Sequence, residues 1–179
     1  MNAALYRSYL KHQAVNHPAL QHDDAEGSRV FAMMQVEEAL ADLRTAAKEK
    51  DYIMRGFHYT YNVQDDGQGR KYLQGGFMVA KFYSASDGGT DAMLAALDDA
   101  ETVMDEMIEK MVSDSRHGHP LFLYSLDSAQ RIDVRPRPLV GDNYAGWMCF
   151  FDFFNFFRVC LTDDEAPAWL DGGVTPAAP

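Results

Sequence analysis

Two cysteines in 179 residues, Cys149 and Cys160, are too few for a disulfide framework. They read as reduced core thiols in a protein made in the cytoplasm. No window approaches the roughly 20 apolar residues that a membrane-spanning helix requires. Even the most apolar stretch is interrupted, by Asp152 and Asn155. The opening MNAALYRSYLKHQ lacks the apolar region and small-residue cleavage site of a secretion signal, so export is not expected. Basic residues are scarce: 16 Lys and Arg stand against 27 Asp and Glu, a formal net charge of -11. A field of that sign repels nucleic acid and anionic membranes and argues against both as principal partners. Also missing are a Gly-x-Ser-x-Gly elbow, a Walker loop, an HExxH pair and a dinucleotide fingerprint. No catalytic residue and no cofactor is therefore assigned.

What remains is a globular composition, 47% hydrophobic and 24% charged, in a chain long enough for one domain with extensions. Leu5, Tyr6, Tyr9 and Leu10 recur at helical spacing and predict a short helix that ends before Pro18. The joint over residues 16–27, rich in His, Asp and Pro, has no period, so residues 1–27 read as a helical arm on a hinge. Such an arm docks on its own body or on a neighbour. The core domain is expected over 28–161, and 162–179 form an acidic, proline-containing tail.

Within the core, Ser28 is placed to cap a helix running to about Lys50, with Met33, Val36, Leu40, Leu43 and Ala47 on one stripe. From Gly56 the period becomes two, with Phe57, Tyr59, Tyr61 and Val63 on one face of a half-buried strand. Turn residues at 64–69 and a returning strand over 72–83 predict an antiparallel hairpin, and Gly75-Gly76 inside it predict a bulge or bend. Thr90 is placed to cap a long helix whose Met93, Leu97, Ala100, Met104, Met107 and Met111 advance by steps of four and three. Asp98, Asp99, Glu101, Asp105, Glu106 and Glu109 crowd its opposite side. Further strands follow in the region 121–157. The predicted class is α+β: an antiparallel or mixed sheet of four to five strands packed by a long central helix and an N-terminal helix.

The last strand carries the most unusual segment, WMCFFDFFNFF over residues 147–157. Alternation places Trp147, Cys149, Phe151, Phe153, Asn155 and Phe157 on one face and Met148, Phe150, Asp152, Phe154 and Phe156 on the other. Both faces are apolar, so both need cover. Each aromatic side chain removes about 150–250 Å² from water when buried, and three or four left exposed would exceed the apolar patch a monomer tolerates. The cover comes either from this chain's own arm or tail, or from a second copy. In the second case Trp147, Phe151, Phe153, Phe154 and Phe156 are interface residues. Arg131, Arg135 and Arg137 alternate along a proline-bearing strand, and this basic edge complements the acidic face of Asp98, Glu101 and Asp105 on a neighbour. Unlike surfaces of this kind build head-to-tail rings.

His117 and His119 form an H-x-H pair beside Pro120, with His12, His17 and His22 near the arm. Two loop histidines do not make the three or four converging ligands of a metal centre, and no metal is expected. The carboxylates of the long helix share one exposed face, without the unequal environments that separate catalytic acids from bases.

The order of N-terminal helix, antiparallel hairpin (57–83), long helix (91–111) and closing strands (121–157) resembles phage tail-terminator and tail-completion proteins and the cap proteins of contractile injection systems. RVFAMMQVEEAL (29–40) before the hairpin and the G-D-N-x-x-G-W turn (141–147) share that likeness. The resemblance implies a homo-oligomeric ring, sixfold in that group, that ends a tail tube and docks sheath, neck or connector proteins. The protein would be made in the cytoplasm and assembled into a virion or tail-like particle. It also implies that the arm, through Leu5, Tyr6, Tyr9 and Leu10, clasps the next subunit, and it carries no catalytic residues. Two alternatives stay open: a monomeric binding module or enzyme with an aromatic-lined pocket, and an acidic immunity-like protein that masks a basic toxin.

Overall fold

The computed structural model describes residues 3–23, 30–45, 51–64, 70–84, 86, 88–117, 132–140 and 143–156. The elements in chain order are α1 (Ala3–Asn16), β1 (Phe31–Met34), α2 (Val36–Thr45), β2 (Tyr52–Gln64), β3 (Arg70–Phe82), α3 (Thr90–Arg116), β4 (Ile132–Val140) and β5 (Tyr144–Phe156). The strands form one mixed sheet in the order β1-β2-β3-β5-β4, with only β1 and β2 parallel. This is the α+β arrangement read from the sequence, with five strands.

The single helix expected from Ser28 to Lys50 is corrected to a strand followed by a shorter helix. Val-Phe-Ala-Met-Met (30–34) contains no polar position, so nothing in it marks the exposed side of a helix. The sheet edge offers it a ladder instead: β1 pairs with residues 54–57, and the Met54 N–H donates to the Val30 carbonyl at 2.6 Å. Parallel neighbours cannot be joined by a tight turn, and α2 supplies the crossover. It starts at Gln35, whose N–H donates to Glu38 Oε2 at 2.9 Å, half of a capping box. Ser28, the expected cap, lies outside the described residues, as does the strand expected from Leu121.

The start of α3 is corrected as well. Its cap is Gly89, with φ 57° and no side-chain hydrogen bond, and Thr90 is its first helical residue. Gly88 and Gly89 both have positive φ, which is the conformational freedom this turn requires.

The buried residues form two clusters, one on each face of the sheet. On one face Tyr6, Tyr9, Leu10 and Ala14 of α1 and Val103, Met104, Met107 and Met111 of α3 pack on Met54, Leu73, Phe77, Val79, Cys149 and Phe151. On the other, Ala39 with Val36 of α2 meets Ile53, Phe57, Met78, Ala80, Tyr144 and Met148. Each fully buried Phe or Met contributes about 1.5–3 kcal/mol relative to exposure, so both clusters are major stabilising units. The four-three stripe of α3 is buried from Ala100 through Met111, whereas Met93 and Leu97 are partly covered.

The hairpin departs from strict alternation. Phe57 pairs with Gly76, but the next matched pair is Thr60 with Gln74, so His58 and Tyr59 together oppose Gly75. The bulge expected at the paired glycines therefore sits in the partner strand, directly across from them. One extra residue reverses side-chain parity. Phe57 joins the α2 cluster while Tyr59 packs with the α1 cluster, which corrects the single face predicted for them.

Candidate functional site

The N-terminal helix is built into the fold at this bulge. Tyr6 is 1% exposed, and its hydroxyl donates to the Gly76 carbonyl at 3.1 Å and accepts from the Gly76 N–H at 2.9 Å. A bulge locally breaks the ladder, and here a tyrosine hydroxyl supplies hydrogen bonds to Gly76, the neighbour of the residue opposite the bulge. Gly75 makes the approach possible, because a Cβ there would lie 2.8 Å from Tyr6 Oη and 3.0 Å from Phe151 Cζ. The Tyr6 ring meets Tyr59 edge-on, with centroids 5.4 Å apart, and tilts against Phe151. Further along, the Tyr9 hydroxyl donates to Asp114 Oδ2 at 3.0 Å, and Asp114 also holds Lys110. After the helix, His17 accepts the Ala19 N–H on Nδ1 and sets Nε2 2.9 Å from Glu106 Oε2. Tyr6, Tyr9 and Leu10, expected to clasp a neighbour, are core residues of their own chain; Leu5 packs partly buried beside them.

The aromatic strand is likewise covered from within over its first half. Phe151 and Cys149 are fully buried under α1 and α3. The partly buried Trp147 indole donates to the Leu97 carbonyl of α3 at 3.0 Å. Phe151 is thus corrected from an interface to a core residue, because α1 and α3 of its own chain cover it, while Trp147 packs partly buried against the same cluster. Phe153, Phe154 and Phe156 belong to β5 and pair in register with Leu73, Tyr72 and Arg70. Their side chains lie outside what is described.

The charged candidates are distributed as follows. Asp98 and Asp105 are exposed on α3 and Glu101 is half-exposed. Asp99 holds Lys81 of β3, and this hydrogen bond raises the lysine pKa. The acidic row therefore includes one latch, Asp99 to the sheet, and Glu106 beside His17, next to its solvated members. Arg135 is exposed on β4, and its guanidinium bonds Asp133 of its own strand, through Nε at 2.9 Å. Arg137 is placed in β4 by its backbone, while Arg131, His119 and Cys160 lie outside the described residues. The structure does not bring the arginines and the α3 carboxylates into contact within one chain by any described side chain. Among the described residues no group of three or more His, Cys, Asp or Glu could hold a metal, and no helix is long and apolar enough to cross a membrane.

One concave feature escaped the sequence reading. A groove of about 710 Å³ lies between the first turns of α1, Met33 of β1 and the bulge, lined by Ala3, Ala4, Tyr6, Arg7, Ser8, Lys11, Met33, His58 and Tyr59. The available signal was Arg7 and Lys11, spaced i,i+4 on a helix with no acidic residue in an otherwise acidic chain.

Burial pushes several groups upward in pKa. For Tyr6 the cause is desolvation, partly opposed by the Gly76 hydrogen bond; for Tyr9 it is desolvation followed by the Asp114 carboxylate. The Cys149 thiol is pushed up to about 12 by burial and then by Asp133, so it is a poor nucleophile at neutral pH. In all three the folded state prefers the protonated, neutral form. Their stabilising contribution is full below the ordinary values, 9.0 for the thiol and 10.0 for the phenols, and is lost as pH rises past them. Stability should therefore fall from about pH 9, steepening above 10 by up to about 1.4 kcal/mol per pH unit for each group. Urea midpoints followed between pH 8 and 11 check this; a flat profile would contradict the burial of these groups.

No protein-family model, curated protein or solved structure matches the chain.

Proposed function

We propose that the chain is a non-enzymatic assembly subunit that associates with copies of itself, in the manner of the ring-forming proteins that end a phage or phage-like contractile tail. The observation that carries this reading lies at one end of the sheet. β1 pairs only with residues 54–57, and the pairing of β4 with β5 extends no further than Phe151. Residues 60–64, 70–74 and 152–156 therefore continue as a three-stranded tongue that neither described edge strand reaches. At about 3.3 Å per residue it is about 16 Å long. It carries Phe153, Phe154 and Phe156 together with Tyr61, Val63 and Tyr72, an aromatic content suited to pairing with another copy. Asp98 and Asp105 on α3 and Arg135 on β4 supply surfaces of opposite charge, as head-to-tail contact requires. Pro136 and Pro138 on β4 disfavour strand addition at that edge, which favours side-chain contact there. The ring number, and the sheath, neck or connector partners, follow only from the family likeness.

Size-exclusion chromatography with light scattering tests the proposal on the full chain. The wild type is expected at a multiple of its 20.1 kDa mass. Phe154→Asp is expected to remain folded by circular dichroism while shifting to the monomer. Phe151→Asp is the internal reference: an unpaired charge at a fully buried site costs several kcal/mol and should unfold the protomer. A strictly monomeric wild type, or a Phe154→Asp protein as unfolded as Phe151→Asp, would refute self-assembly through the tongue.

A further inference from the structure

We propose that neighbouring copies join by backbone strand pairing, the β2 edge of one tongue lying parallel to the β5 edge of the next, an inference that rests on the self-assembly reading above. The register sets this up. Through β3, Thr60 aligns with Gln74 and Gln74 with Asp152; at the far end Gln64 aligns with Arg70 and Arg70 with Phe156. Residues 60–64 and 152–156 are therefore level with one another and equal in length. Both are antiparallel to β3, so they run in the same direction. A second copy set beside the first in the same orientation brings one edge against the other, and the contact repeats from copy to copy.

Two contrasts favour another copy of this chain, placed head to tail, as the partner of these edges. The first is chemical. β4, an outer strand of the sheet, carries Pro136 and Pro138, which discourage strand addition. TYNVQ (60–64) and DFFNF (152–156) contain no proline and no lysine, and their Thr, Tyr, Val and Phe favour extended backbone. Edges of this composition are suited to receiving a strand. The second contrast is geometric. Head-to-tail addition engages both edges of every tongue, whereas joining β5 to β5 or β2 to β2 about a twofold axis engages one edge per copy. Because the two edges already run in the same direction, neither copy has to be inverted.

Cross-linking of full-length chains tests the pairing. One chain carries Val63→Cys and a second, marked by an affinity tag, carries Asn155→Cys, positions level across the tongue through Lys71. Both also carry Cys160→Ser, and the remaining Cys149 is fully buried. The two are co-expressed and treated with a bis-maleimide short enough to join only adjacent strands, about 5 Å apart. The expected product is a mixed dimer, and either variant expressed alone should lose it. Light scattering on the same samples separates this pairing from self-assembly in general. Oligomers that give adducts of one variant with itself, or no adduct, overturn the strand pairing and leave self-assembly standing; the second result is the one produced if other residues of the same chain lie along these edges. A monomer overturns both.

Discussion

Gly146→Ala is expected to destabilise the protein by about 3 kcal/mol or more, at the upper end of what overpacking costs. Gly146 lies in β5 directly across from Ala80 of β3, and β5 there approaches β3 closely. A Cβ on Gly146 would stand 2.1 Å from the Val79 carbonyl oxygen and 2.6 Å from Ala80 Cα. Both are backbone atoms of the central strand. No rotamer change relieves the contact; the two strands must part, and they carry Cys149, Phe151, Phe77 and Val79 of the main core. Against a total stability of about 5–15 kcal/mol, this loss threatens the fold itself. Gly89→Ala is the useful contrast. A Cβ there meets nothing within 4 Å, and only the positive φ of 57° opposes it. With ψ at -117° the residue lies outside the left-handed helical well, in a backbone region that L side chains rarely adopt, which costs about 1–3 kcal/mol. Urea unfolding of both variants should therefore rank them clearly, and a Gly146→Ala midpoint near that of the wild type would mean that β3 and β5 are less closely apposed than described.

Much of this architecture was legible because apolar period and element length agree. The Met-rich stripe from Ala100 to Met111 has only one burial pattern consistent with a straight helix, and that is the one observed. WMCFFDFFNFF reads as a strand with two apolar faces, and over the first half of β5, α1 and α3 cover one face while Met148 is buried in the cluster on the other. Three things were not legible, for separate reasons. The residues of β1 are apolar in every position, so their state depends on which partner the sheet offers. The bulge between Phe57 and Thr60 leaves no mark in its own strand; its cause, Gly75 and Gly76, is almost twenty residues away. The groove is assembled from α1, β1 and β2, with charges whose local meaning emerges only when three distant segments meet.

The docking of the N-terminal helix leads to the second large effect, at Tyr6. Tyr6→Ala should cost about 3–5 kcal/mol for the lost ring. It should cost about 1–3 kcal/mol more for leaving the Gly76 N–H and C=O without the hydroxyl. Tyr6→Phe isolates the second quantity, since the ring stays between Tyr59 and Phe151 while the two bonds to Gly76 vanish. The pair of variants distinguishes two pictures of residues 3–16. A detachable arm that folds only against a neighbour would make both substitutions nearly silent in the urea unfolding of dilute monomer. A helix that completes the core makes Tyr6→Ala one of the most damaging changes in the chain. It also makes the two unfolding midpoints differ by the value of a buried aromatic ring. The second outcome is expected because Tyr6, Tyr9, Leu10 and Ala14 are all 3% exposed or less and pack against the same cluster as Phe77 and Phe151. With α1 held in this way, the proposed contact between copies falls to surfaces that the helix does not cover, such as the tongue that ends at residues 152–156.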